Sequence, residues 1–291
     1  MSDLKNTQKS SRDLFQQSLD KAFRGGVSGG IAMAINICTL MPLRTAVNYQ
    51  YRYGTGTVST ISTLYRDGGL LRFYRGFGFA MVQGPWSRFG DTFANNGTLA
   101  LLDNMESTRD LNIGSKTLLA SAAASSFRII STPIDTCKTI LQVEGRGGLS
   151  KLGDKFRFSG GFPRGVPVYW YGAVGAAGAT FIGHYPWFFT YNYLQSNLAE
   201  RETTLGQMSR NAVIGFSASV VSDSISNSTR VLKTYRQANT VKISYPQAAR
   251  EIVAQDGMRS LFGRGLRTKI IANGLQGALF SVLWRWIQKQ L

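Results

Sequence analysis

The sequence predicts an all-helical membrane protein: six transmembrane helices arranged as three pseudo-threefold repeats, with short surface helices inside the repeats. Three observations predict it. Long stretches lack charge, two landmarks recur at a constant spacing, and basic residues concentrate in alternate loops.

No charged residue lies between Arg24 and Arg44, and between Arg164 and Glu200 only His184 adds a titratable group other than tyrosine. A bilayer span needs about 20 mostly apolar residues, and both gaps are long enough. They are rich in Gly, Ala, Ser and Thr, the residues that let helices pack closely within lipid. Mean hydropathy over the chain is −0.09, which taken alone resembles a water-soluble protein. Residues 12–23 place Leu14, Phe15, Leu19, Ala22 and Phe23 on one face and lead into the first helix. No short apolar core follows the first basic residues, so no secretory signal is expected. Cys38 and Cys137 fall in predicted spans and are expected to be buried small residues, without disulfide or metal-ligand spacing.

The repeat emerges from two landmarks. Met41-Pro-Leu-Arg-Thr-Ala-Val47, Thr132-Pro-Ile-Asp-Thr-Cys-Lys138 and Asn227-Ser-Thr-Arg-Val-Leu-Lys233 align, with Pro42, Pro133 and Ser228 spaced by 91 and 95 residues. Phe73-Tyr-Arg-Gly76, Tyr169-Trp-Tyr-Gly172 and Phe262-Gly-Arg-Gly265 follow, their glycines spaced by 96 and 93. The repeats run over residues 21–106, 112–199 and 205–291 of a single domain. The predicted spans are 21–50, 77–102, 115–143, 173–198, 206–237 and 268–289, with surface helices over 57–66 and 245–254. Ser244 before Tyr245-Pro246 supplies a start for the second surface helix. The middle repeat carries instead a Gly-rich stretch, Glu144 to Lys151, whose spacing does not fit a phosphate-binding loop.

The chain holds 33 Lys and Arg against 16 Asp and Glu. Such a surplus points to an anionic partner, either nucleic acid or an acidic lipid surface. The three loops within repeats (51–76, 144–165 and 236–269) together carry +11, while those between repeats (103–116 and 200–210) carry −1 and 0. One membrane face is therefore basic, and six spans place both termini on the other. Basic residues that track loops, without forming one aromatic-studded patch, argue against nucleic acid. With one histidine and neither paired carboxylates nor metal-ligand spacing, no enzyme, metal or cofactor is expected.

Pro133-Ile-Asp-Thr-Cys-Lys138, the Asp256-Gly257 that leads to Phe262 and Gly265, and the threefold spacing resemble the mitochondrial carrier family. The resemblance covers nearly the whole chain. It implies a six-helix barrel in the inner mitochondrial membrane, termini toward the intermembrane space, and alternating-access exchange of solutes. Its signature, Pro-x-[Asp/Glu]-x-x-[Lys/Arg], closes each odd helix, and the acid of one repeat pairs with the base of a neighbour on the matrix side. Here the acidic positions hold Arg44, Asp135 and Arg230, and the basic positions Val47, Lys138 and Lys233. Family pairing would set Asp135 against Val47, Lys138 against Arg230, and Lys233 against Arg44. The last two are like-charge pairs, which repel by about 1–4 kcal/mol in a poorly screened cavity. The opposite gate, aromatic-[Asp/Glu]-x-x-[Lys/Arg], is reduced to the aromatics Phe93, Tyr191 and Trp284.

Counting back from those aromatics, the resemblance implies substrate contacts near Gln83, Thr180 and Asn273, all uncharged. Arg88 and His184 lie nearby, either lining a cavity or bonding between helices. In carriers, glycine-led helix starts after aromatic-[Lys/Arg] bind cardiolipin, and the matching residues are Arg75, Gly76, Gly172, Arg264 and Gly265. Two functions follow from the resemblance. The loss of both charged gates favours a non-transporting accessory subunit or scaffold of a large inner-membrane complex, such as a respiratory complex. The retained helix-bending Pro42 and Pro133 favour an alternating-access carrier for a neutral or polar solute.

Overall fold

The computed structural model describes residues 35–105, 108–239 and 241–276. The first span before residue 35, the sixth beyond 276, and Trp284 lie outside the described residues, as do the side chains of Arg88, Thr92, Asn95, Asn96 and Ile113. Among the described residues there is no strand. The elements are α1 (35–53), α2 (Thr57–Phe73), α3 (Phe77–Asn104), α4 (Ile113–Glu144), α5 (Gly148–Phe158), α6 (Ala173–Asn197), α7 (Thr204–Ala238), α8 (Tyr245–Asp256), α9 (Met258–Gly263) and α10 (266–276). The short α5 lies between the long α4 and α6, and the short α8 and α9 follow the long α7.

The boundaries follow local chemistry. Asn112, Thr203 and Ser244 each accept a backbone N–H three residues on, so α4, α7 and α8 start at side-chain caps. Within α2 the helix breaks at Gly68 and Gly69, which leave helical geometry. Pro85, Pro133 and Pro186 lie inside α3, α4 and α6, each removing one ladder donor. The Gly-rich stretch expected to be a loop in the middle repeat is a correction: α5 forms there. Its Leu152 packs with Ile140, Val168 and Tyr171, and that burial outweighs the poor helix propensity of glycine.

Polarity is reversed across the long helices. Along α4, Ser121, Ser125, Thr132, Asp135, Thr136, Thr139 and Gln142 are buried, while Leu118, Leu119, Ile129 and Ile130 are exposed. Along α7, Ser222, Asp223, Ser226, Asn227, Thr234 and Gln237 are buried, while Val213, Phe216, Val221 and Ile225 are exposed. A helix packed in water shows the opposite arrangement. The polar inner stripe also dilutes mean hydropathy. Among the described residues no helix is long and apolar enough to cross a membrane. Apolar clusters gather around the short helices instead: Val47, Tyr51, Val231, Tyr235, Ala248 and Ile252 join α1, α7 and α8.

Three contacts recur around the molecule. The hydroxyls of Thr45 and Thr136 and the amide of Asn227 donate to the carbonyls of Phe73 (2.6 Å), Tyr169 (2.8 Å) and Phe262 (2.7 Å). Each bond ties a signature segment to the aromatic landmark that follows it. Next, one cation from each short-helix segment reaches the end of a long helix from another segment. Arg72 donates to the carbonyls of Gln142 (2.9 Å) and Val143 (2.8 Å), Lys155 to Asn239 (2.7 Å), and Arg264 to Arg52 (3.2 Å). Helix C-termini leave carbonyls unpaired and partly negative, and these cations satisfy them.

The third contact is close packing at the landmark glycines. A Cβ on Gly76 would lie 2.9 Å from the Lys138 carbonyl, one on Gly172 2.4 Å from the Gln237 side chain, and one on Gly265 2.8 Å from the Tyr51 ring. Gly76 also has φ +81°, a conformation other residues rarely adopt. Gly76→Ala is expected to destabilise the protein by about 1–3 kcal/mol through combined strain and backbone crowding. A thermal melt of the variant with an unchanged midpoint would contradict this close approach.

Candidate functional site

Asp135 lies on α4 two residues after Pro133, and one helical turn places Lys138 on the same face. Asp135 Oδ1 accepts from Lys138 Nζ at 2.6 Å, and Oδ2 accepts from Lys233 Nζ on α7. Lys138 Nζ also donates to Gln83 Oε1 on α3 at 3.0 Å, and Gln83 Nε2 donates to Ser87 at 2.8 Å. One buried carboxylate thus ties α4 to α7, while its second lysine reaches α3.

A second acidic group lies on α7, about two helical turns before Arg230. Asp223 accepts from Asn273 Nδ2 on α10 and stands 3.4 Å from Arg230 Nη2. Arg230 Nε donates to Ser226 at 3.2 Å. On α1, Arg44 Nη2 donates to Asn36 at 2.9 Å. Lys269, at the start of α10, has Asp223, Arg230, Arg44 and Lys138 as charged neighbours.

The expected pairings change in three places. Val47 does not meet Asp135: it is buried in the apolar cluster with Tyr51 and Val231, so it faces α7 and α8. Lys138 and Lys233 are not paired with arginines. Both turn to Asp135, because two ammonium groups on one carboxylate relieve more repulsion than two like-charge contacts. Arg230 turns to Asp223 and Arg44 to Asn36. Sequence reasoning missed Asp223 and Lys269, which lie outside the signature positions. It also missed the ion pair between Asp91 on α3 and Arg128 on α4, at 2.6 Å. A scan for every charge within the predicted spans would have found all four.

The remaining candidates are dispersed. Thr180 donates to the Ala176 carbonyl of its own helix at 3.0 Å. His184 Nδ1 meets Ser121 Oγ at 3.2 Å, an interhelical contact between α6 and α4, and its ring meets Phe188 edge-on. Asn273 serves Asp223, and Gln83 serves Lys138. Arg88 lies outside the described side chains. Cys38 is exposed, against the expectation of burial, and Cys137 is half-buried, packed against the cluster of Ile140, Leu152, Val168 and Tyr171.

Among the lipid candidates, Arg264 departs from expectation. Its guanidinium is buried, bonded to Asp256 Oδ2 at 2.5 Å and to the end of α1, so it is not free to hold a headgroup. Gly172 and Gly265 are pressed against Gln237 and Tyr51. Arg75 is half-exposed, and Gly76, pressed against the Lys138 carbonyl, caps α3 without a side-chain partner.

On the basic face, Lys155 lies 4.7 Å from the Tyr171 ring centroid, with Arg236 and Lys242 against the same ring. Burial, reinforced by Arg236 and Arg52, pushes its ammonium down to about 8 from the ordinary 10.5. The folded protein therefore releases this proton at lower pH than the unfolded chain. Stability should rise as pH increases from about 8 toward 10.5. A thermal midpoint that climbs over this window in the parent, and not in Lys155→Gln, is the expected result.

The described residues contain no group of three His, Cys, Asp or Glu able to hold a metal ion. Comparison of the sequence with protein-family models finds no match, and comparison with curated proteins finds none either.

Proposed function

We propose that this chain is a membrane-embedded, carrier-type protein of the inner mitochondrial membrane that serves as an accessory subunit of a larger complex. The reversed polarity of α4 and α7 supports the membrane reading most directly. Apolar side chains such as Leu119, Ile130, Val213 and Ile225 face outward, and hydroxyls and amides face inward. Lipid would satisfy the outer surface, while the inner groups bond one another. The short helices that carry the basic loops would lie at the matrix face, where the half-exposed Arg75 beside the start of α3 suits a cardiolipin phosphate.

The accessory role is supported by the state of the two gates. Among the described residues, one carboxylate, Asp135, bridges two of the signature segments, and Arg44 and Arg230 bond elsewhere. At the opposite end, Phe89 stacks on Phe93 and Trp187 on Tyr191. Tyr185, Phe189 and Tyr193 form an exposed stacked ladder on α6, suited to a protein or lipid neighbour. Gentle detergent extraction followed by native separation tests this role. Stoichiometric migration with a large inner-membrane complex, without solute uptake after reconstitution, is the expected outcome.

One observation favours transport instead. The interior is polar, and the Asp135–Lys233 contact joins two segments by a bond that can break. Saturable uptake into liposomes, abolished by Asp135→Ala, would replace the accessory reading with this one.

A further inference from the structure

Residues 157–164, Arg-Phe-Ser-Gly-Gly-Phe-Pro-Arg, turn the chain at the end of α5. Two phenylalanines in this turn are almost wholly uncovered: Phe158 is 91 % exposed and Phe162 84 %. Arg157 and Arg164 are exposed as well, and the segment holds no carboxylate. The turn has a fixed shape. Ser159, Gly160 and Gly161 donate their N–H groups to the carbonyls of Lys155, Arg157 and Phe156 at 3.1, 3.0 and 3.1 Å. Gly160 and Gly161 take φ +97° and +62°, values that glycine adopts without strain. Its base is packed: Leu152 joins Ile140, Val168 and Tyr171, and the Phe156 ring lies 6.0 Å from that of Tyr169. An anchored turn thus presents two aromatic rings that no described residue covers, and such a patch marks a surface of contact.

We infer that this turn inserts Phe158 and Phe162 into an acidic lipid surface. The inference rests on the membrane reading above and adds a point of anchorage to it. Charge complementarity selects the occupant. Each ring has an arginine within two residues, so the guanidinium groups meet headgroup phosphates while the rings enter the acyl layer. The chain that leaves the turn leads to the outer side of α4. Trp170, six residues after Arg164 and 40 % exposed, donates its indole N–H to the Ile129 carbonyl at 3.0 Å, next to the outward-facing Ile130. A tryptophan with one bonded and one open side suits the boundary between lipid and water. The other short-helix segments expose the same pairing: Tyr65 precedes Arg66 on α2, and Met258 precedes Arg259 on α9. A planar acidic surface can meet all three segments, whereas a protein groove would have to fit each separately. The contact uses neither a helix start nor Arg75, so it is separate from the cardiolipin position proposed above.

Phe158→Cys, Phe162→Cys and, as a reference on the outer side of α4, Ile130→Cys would each be made in the full chain with Cys38→Ala and Cys137→Ala. Each protein would carry a nitroxide label and be reconstituted in nanodiscs of phosphatidylcholine, with or without phosphatidylglycerol. Relaxation by oxygen, which concentrates in lipid, is compared with relaxation by a water-soluble nickel chelate. Labels at 158 and 162 are expected to favour oxygen several-fold in the acidic discs. Arg157→Gln with Arg164→Gln should move them toward the nickel chelate and leave the label at 130 unchanged. Both phenylalanines are exposed, so these variants should melt with the cysteine-free parent. Labels at 158 and 162 that favour nickel while the one at 130 favours oxygen would overturn the insertion and leave the membrane reading standing. A label at 130 that also favours nickel would overturn both. Equal readings in the two kinds of disc would overturn the acidic-headgroup contact. Shielding from both probes in native membranes alone would reassign the turn to a protein partner.

Discussion

Asp135→Asn is expected to lower stability by about 3–5 kcal/mol, the range for removing one partner from a buried ionic group. The loss is large because the carboxylate serves two lysines, from α4 and α7. Its amide replacement leaves both ammonium groups without their shared carboxylate, with Lys138 still beside Arg44. Lys233→Met should cost less, since the Lys138–Asp135 contact at 2.6 Å survives it. The double variant Asp135→Asn/Lys233→Met should be more stable than Asp135→Asn alone, because one of the two stranded cations is gone. Thermal unfolding of the four proteins in one detergent measures the cycle. Additive losses in the double variant would show that the bridge between α4 and α7 contributes nothing.

Arg72→Met should destabilise by about 2–4 kcal/mol, because charge-assisted bonds to buried carbonyls are lost and their acceptors stay unpaired. Arg72 is 4 % exposed and spans two consecutive carbonyls at the end of α4 while pairing with Asp67 at 2.5 Å. Arg72→Lys should recover only part of the loss, since one ammonium cannot fork across both carbonyls in the same plane. Arg264→Met should cost less, because its contacts with the Arg52 and Tyr51 carbonyls are longer, at 3.2 and 3.5 Å. Thermal midpoints provide the ranking. Equal losses at the two arginines would contradict the dependence on geometry.

Helix positions were legible because they depend on local signals. Charge-free stretches, the Ser244 cap, and the recurring Pro and Gly landmarks act within a turn or two of the chain. The observed α3 and α6, Phe77–Asn104 and Ala173–Asn197, lie within a few residues of the expected 77–102 and 173–198. The glycine-rich segment in which α5 begins was not legible, for the opposite reason. Propensity argued for a loop, and the contacts of Leu152 with Ile140 and Val168, distant in sequence, outweighed it.

The chemistry of the signature charges was only half legible. The signature positions identified Asp135, Lys138 and Lys233 as charged groups of the centre, but their pairing depends on where α4 and α7 lie in space. Asp223 and Lys269 matched no motif, and the role of Asp223 comes from its contacts with Arg230 and Asn273. Arg264 matched a lipid-binding pattern and is instead committed to the end of α1. By itself, the sequence determined the all-helical class, the bounds of long helices such as α3 and α6 and the segregation of charge, because each follows from residue spacing along one chain. Only the tertiary structure decided which cation meets which carboxylate, and that the polar stripes face inward. A charge's partner depends on distance through space, and distance between repeats is set by how the helices pack.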